Sequence, residues 1–351
     1  MNILIAQRRS KMANNTFSLS VEARILEIID FLKRKGYVEY AVAYADDAHI
    51  INIIKWADIV IISRNLSKYE MNVISKAKET GKRIILDIDD YFFAKPSYSC
   101  QGEFSQDNIK KLQKLNQSID CIVVSNKILH NELMQHGIST SIVKTRVNIQ
   151  EEQPKKIENK SLKYVYTTTD NIKLNKFKKK FIQMLQDFHS EFKDIKMVVY
   201  SDIIYDIIRL PFVEWFPRMH YKEYISSLVT ENYLFSVTPL GGEEDSEDVL
   251  FHTCKSPIKY FNYGLANIPG IYSDVPLYRS CIVPGKTGLL VENNCDAWYN
   301  SMKLICTNEN LREFIAANAH DDICKKYDIE KSAYEYYNIL KSVMCLSFLS
   351  G

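Results

Sequence analysis

Short apolar runs rich in Ile and Val recur through the first half of the chain, at residues 2–6 (NILIA), 40–44 (YAVAY), 58–63 (DIVIIS), 83–87 (RIILD), 121–125 (CIVVS) and 141–144 (SIVK). Their length and β-branched content predict strands. Between them, VEARILEIIDFLKRKG and SKYEMNVISKAKETG space apolar residues by three and four and end at Gly36 and Gly81, as helices closed by a glycine do. Alternation of this kind predicts βαβ units and a mostly parallel sheet. The polar segment 149–163 (IQEEQPKKIENKSLK) then interrupts the pattern, and a second series follows at 163–167, 196–200, 211–215, 233–238, 267–272 and 287–292, with helical stretches such as KKKFIQMLQDFHSEF between. From about residue 296 the pattern is helical to the end.

A length of 351 residues is roughly twice a domain of ~100–200 residues, which fits two α/β domains, residues 1–150 and 151–327, with a helical tail at 328–351. Two Rossmann-like halves in tandem imply a cleft faced by the strand carboxyl ends, where such sheets bind ligands.

Charge narrows the partners. Lys and Arg number 45 against 43 Asp and Glu, so the strong positive balance of a nucleic-acid binder is missing. Residues 1–150 hold 21 basic and 16 acidic side chains, the remainder 24 and 27. The asymmetry fits either chance or a first half that meets an anionic surface or acceptor, peripheral membrane contact included. Eight cysteines without any C-x-x-C pair point to free thiols in a reducing compartment and to neither disulfides nor zinc. MNILIAQRRSK reaches Arg8 and Arg9 after too few apolar residues for a signal peptide, and no later run approaches the ~20 residues of a spanning helix. The expectation is a cytoplasmic protein, at most touching the inner membrane face.

The densest chemical signal is CKSPIKYFNYGLANIPGIYSDVPLYRSCIVPGKTGLLVENN, residues 254–294. Ser256 before Pro257 suits a helix start, serine as cap and proline in the first turn. Free amides and the positive dipole end, beside Lys255 and Lys259, form an anion site that a phosphate would fit. A solvated lysine pair on an ordinary helix fits the spacing as well.

The pattern K-S-P-x-K-Y-F, A-x-x-I-P-G-I-Y-S-D, P-x-Y-R and G-K-T-G-L-L-V-E-N-N, with Trp298 after it, resembles the donor-binding region of GT-B nucleotide-sugar glycosyltransferases, in particular the retaining, glycogen synthase-like group. VEWFPRMHYKEYISSL (213–228) and SIDCIVVSNKIL (118–129) carry weaker similarity. The resemblance implies two Rossmann-like domains facing across a cleft and a C-terminal helix crossing back to the first. It implies metal-independent transfer of a sugar from a nucleotide-sugar to a hydroxyl of a glycan acceptor, in polysaccharide or surface-glycan biosynthesis, with no cofactor besides that substrate. It places Lys255, Ser256 and Lys259 at the donor diphosphate, with Thr168 of the TTTDN segment nearby, and Trp215 and Phe216 at the base. Asn262 stands where the family has a ribose-binding glutamate, and can still donate and accept without the charge-assisted bond. Cys254 stands where many retaining members direct a second glutamate at the transferred sugar, a departure that bears on sugar identity and stereochemistry. His252, two residues earlier, is a candidate for touching that sugar. A same-fold sugar-nucleotide epimerase and a non-catalytic donor-binding assembly subunit are the alternatives.

Asp87, Asp89 and Asp90 of RIILDIDDYFF admit four readings: a phosphatase nucleophile of the haloacid dehalogenase type, a D-x-D metal site as in the other large glycosyltransferase architecture, an acceptor site on the cleft rim, or solvated loop carboxylates. As a cleft site, Asp89 and Asp90 are the catalytic candidates, positioned to orient an acceptor hydroxyl or take its proton. Asp87 joins Arg8 and Arg64 on the acceptor side. The acidic stretch 242–249 (GEEDSEDV) reads as a solvated loop or a lid.

Overall fold

The computed structural model describes residues 1–7, 18–63, 66–93, 107–149, 162–169, 172–174, 176–241 and 246–345. Six parallel strands form the first sheet: β1 (Asn2–Gln7), β2 (Glu39–Tyr44), β3 (Ile59–Ser63), β4 (Arg83–Ile88), β5 (Cys121–Val124) and β6 (Ser141–Ile142), in the order β2-β1-β3-β4-β5-β6. Six more form the second: β7 (Lys163–Thr167), β8 (Lys196–Tyr200), β9 (Val213–Phe216), β10 (Ser236–Thr238), β11 (Gly270–Ser273) and β12 (Leu289–Val291), in the order β12-β11-β10-β7-β8-β9. The strands read as continuous apolar runs because helices cover both faces. Ile3, Ile5, Ile59 and Ile61 pack to one side of the first sheet, Leu4, Ala6, Val60 and Ile62 to the other. Strand order reverses between β1 and β3 and again between β7 and β10, and those two switch points open the crevices in which α/β sheets bind ligands.

The predicted helix after β1 begins as a π-helical turn, Val21–Leu26, before continuing as the α-helix Glu27–Arg34. A short helix, Ile50–Trp56, fills the β2–β3 connection that the apolar pattern leaves unassigned. Helices Cys295–Thr307 and Glu309–Lys326 complete the second half, seating Trp298, Met302, Ile305 and Ile315 in its core. The chain then returns. Helix Ile329–Cys345 buries Ile329, Ala333, Tyr336, Leu340 and Val343 against Ile3, Ile5 and Ile28 of the first half. Arg146 donates to Ser332 and pairs with Glu335, and Val147 bridges Asp328.

Two segments also pack into the opposite half. Ala23 of the π-turn joins the cluster around Tyr221, Tyr224 and Tyr260, while Cys254 joins the one around Phe92, Leu112 and Leu129. Among the described residues no helix is long and apolar enough to cross a membrane.

Candidate active site

The donor-side geometry starts at helix Ile258–Leu265. Its N-cap is Pro257, and no side chain caps it. Ser256 stands one residue too early for the capping expected of it; the Tyr260 amide turns back to the Pro257 carbonyl, which leaves the amides of Ile258 and Lys259 with capacity for an anion. Lys255 precedes this terminus and Lys259 lies within its first turn, Nζ 5.4 Å from the centre of the Tyr166 ring. The third cation, Lys173, comes from the loop after β7, and its carbonyl accepts the Gly241 amide of the loop after β10. The lysines therefore converge on the β7/β10 switch point. Thr168, buried at the end of β7, donates its amide to the Tyr200 carbonyl.

The cluster carries an electrostatic cost. Burial first, then Lys173 and Lys255, pull the Lys259 ammonium well below the usual lysine range. Burial, then the same two lysines, push the His252 imidazole down to about 3, so the ring is neutral at physiological pH. Like charges and desolvation act here in the same direction, and a bound anion would oppose both.

Facing this helix, the three aspartates of β4 and its exit go to three environments. Asp87 lies beneath the π-turn, 2% exposed, its two carboxylate oxygens taking Arg24 Nε at 2.6 Å and Nη2 at 3.2 Å. Arg24 also donates to the Val143 carbonyl. Asp87 is thus placed in a buried ion pair, away from the acceptor-side rim where the sequence reading put it. Asp89 is half-buried, and its carbonyl accepts from Ser125. Asp90 reaches across to the second half: Lys255 Nζ donates to its Oδ1 at 2.7 Å, both side chains largely buried. Beside this contact Cys254 is fully buried in the first half's core, and its carbonyl accepts from Asn126 Nδ2. The Cys254 side chain is therefore turned into the domain interface.

At the β1/β3 switch point sits Gln7, 2% exposed, and neither atom of its side-chain amide has a hydrogen-bond partner among the described residues. Asn262, 4% exposed, accepts at Oδ1 from the Tyr221 hydroxyl at 2.8 Å. At the end of β9, Trp215 packs toward the core beside Phe212, with Nε1 donating to the Ser201 carbonyl at 3.2 Å. Phe216 is 41% exposed and stacks on Tyr200. Arg8 and Arg64 lie outside the described residues, as does 242–245 of the acidic stretch.

The structure thus brings together Lys255, Lys259, His252 and Asp90. Sequence reasoning missed Lys173, Asn126, Gln7, Glu22 and Tyr221. A lysine six residues past the predicted strand 163–167 was the one signal for Lys173; the others are ordinary polar residues until the fold places them.

No protein-family model matches the sequence, and no curated protein matches it. Solved structures do. HepE of Anabaena, in complex with UDP and glucose, superimposes with a TM-score of 0.65 at 12% identity over 97% of this chain and 100% of its own. A glycosyltransferase from Rickettsia africae gives 0.61 at 11% identity, covering 98% of both chains. The pneumococcal O-GlcNAc transferase GtfA, with UDP and GlcNAc, gives 0.56 at 13% identity over 85% of this chain and 60% of its own. Two parallel six-stranded sheets, each with a switch point in its strand order, and a C-terminal helix that returns to the first half give this chain the GT-B fold of nucleotide-sugar glycosyltransferases.

Proposed function

We propose that this protein transfers a sugar, a hexose or its derivative, from a nucleotide-sugar donor to a hydroxyl of a glycan acceptor, in the building of a polysaccharide or surface glycan. The observation that carries the reading is the lysine cluster at the helix N-terminus on the β7/β10 switch point, with Lys259 held below its usual range by burial and by Lys173 and Lys255. A diphosphate raises the Lys259 pKa again by opposing both causes, and takes the free amides at the helix start. The UDP held by HepE and GtfA supports a uridine diphosphate donor.

In the mechanism, Lys255, Lys259, Lys173 and the helix terminus stabilise the charge that grows on the diphosphate as the anomeric C–O bond breaks, which is where electrostatic catalysis acts. These cations supply the countercharge without a metal ion. Asn262 reads the ribose, Phe216 offers its exposed face to the base, and Trp215 backs that wall. Donor phosphate competes with Asp90 for Lys255. The Asp90 carboxylate, with Asp89 beside it, takes the proton of the acceptor hydroxyl while that oxygen bonds to the anomeric carbon. Neutral His252 lines the sugar end of the site.

Thermal stabilisation by UDP, GDP, CMP, dTDP and their sugar conjugates, with and without EDTA, tests this reading. The expected result is a shift selective for one nucleotide, unaffected by EDTA and abolished in the Lys255→Ala/Lys259→Ala double variant. No shift with any nucleotide would overturn it. Binding without turnover would instead mark a donor-binding subunit, a reading favoured by the burial of Cys254 where a sugar-directed carboxylate is absent.

A further inference from the structure

We infer that Glu22, in the first half, acts as a positioning residue for the nucleotide ribose in the second, through Tyr221 and Asn262. The inference rests on the donor-site reading above and adds residues to it that the motif does not contain.

The helix Tyr221–Thr230 has no cap of its own, because the side chain of its N-cap residue, His220, makes no capping bond. Glu22 of the π-turn supplies the cap across the domain boundary. One carboxylate oxygen accepts from the Tyr221 amide, and the other lies 2.9 Å from His220 Nδ1. Glu22 is only 6% exposed, so its charge sits at the positive end of that helix with little screening by water. The next residue extends the junction: Lys222 Nζ lies 3.3 Å from Asp30 Oδ2. A π-turn is the kind of helical irregularity that re-aims a side chain at a functional position. Here one such turn aims Glu22 at the second half and Arg24 at Asp87.

Tyr221 carries the effect inward. Its amide is fixed by Glu22 while its buried hydroxyl donates to Asn262 Oδ1. With Oδ1 occupied, the polar group left to Asn262 is the Nδ2 donor, which has no partner among the described residues. The arrangement reverses the polarity of recognition: a glutamate accepts from ribose hydroxyls, whereas this amide donates to a hydroxyl oxygen. Tyr221 fixes which amide atom faces the ribose, and Glu22 fixes Tyr221.

The test is the affinity ratio of UDP to 2′-deoxy- and 3′-deoxy-UDP, measured calorimetrically beside inorganic pyrophosphate, which probes the lysine cluster alone. Wild-type protein should prefer the ribonucleotide to one deoxy analogue by about tenfold, the order expected for one buried hydrogen bond. Tyr221→Phe should bring that ratio close to unity and Glu22→Gln should lower it severalfold, both with pyrophosphate affinity unchanged. Thermal midpoints establish that each variant is folded. Ratios equal to wild type in both variants would overturn the inference, as would parallel loss of UDP and pyrophosphate binding, the mark of a merely structural role. Wild-type protein that binds no uridine nucleotide would sink the donor-site reading instead, a result distinguishable from either.

Discussion

The two switch points of this molecule are built from opposite electrostatic choices. At β7/β10 the rim gathers Lys173, Lys255 and Lys259, and Lys259, buried beside the other two, bears the cost as a depressed pKa. At β1/β3 and the neighbouring end of β4 the described side chains are neutral or already paired: Gln7 is an uncharged amide, Asp87 is locked by Arg24, and Asp90 is held by the other half's Lys255. A site whose charges repel one another is arranged for a ligand that neutralises them. A wall whose carboxylates are engaged is arranged to wait. The ion pair between Lys255 and Asp90 joins the two rims through charges that a donor and an acceptor would also use.

Breaking that contact gives the largest expected effect. Asp90→Asn removes a competitor for Lys255, so UDP should bind several-fold more tightly, while sugar transfer should fall by about 100-fold or more, as loss of a general base does. Calorimetry and steady-state kinetics on the same preparation separate the two. Weaker nucleotide binding in Asp90→Asn would show that the carboxylate organises Lys255 rather than competing with the donor, and the contrast between the two rims would lose its basis.

A pH series sharpens the other side of the comparison. Burial and its lysine neighbours lower the Lys259 pKa, and a diphosphate beside it raises it again, so binding takes up a proton over the interval between the two values. Within that interval, at pH values where a terminal phosphate with a pKa of about 6 is already ionised, UDP affinity should fall as pH rises, by up to about tenfold per unit. Titrations in buffers of differing ionisation enthalpy should register proton uptake, and Lys259→Gln should remove most of it. A flat pH profile would mean that the lysine cluster is already neutralised without a ligand.

How legible this was in the sequence depends on how far apart the cooperating residues lie. The strands were readable because parallel strands covered on both faces leave unbroken Ile and Val runs, as at 59–62. Lys255 and Lys259 were readable because they flank one helix start. Lys173 was not, since it meets them only through the β7/β10 crossover. Nor could spacing sort Asp87, Asp89 and Asp90, three carboxylates within a four-residue span over which burial changes from a closed ion pair to an interdomain contact. That depends on Arg24, which in sequence is one more charge on an amphipathic helix. Ser256 failed as a cap for a local reason: the helix begins after Pro257, not at it.

The smallest expected effect concerns Gln7. A buried amide with no partner costs free energy of about 1 kcal/mol or more, and none of the described residues offers the Gln7 amide one. If the group is kept to meet an acceptor hydroxyl, Gln7→Met should raise the thermal midpoint by a few degrees, leave UDP affinity unchanged and raise the KM for acceptor. The nearly equal volume of methionine separates loss of the amide from loss of packing. A variant no more stable than wild type would mean that water or another group satisfies Gln7 in solution. Gln7 would then not be a polar group held in reserve, and among the described residues acceptor recognition would fall to Asp89 and Asp90.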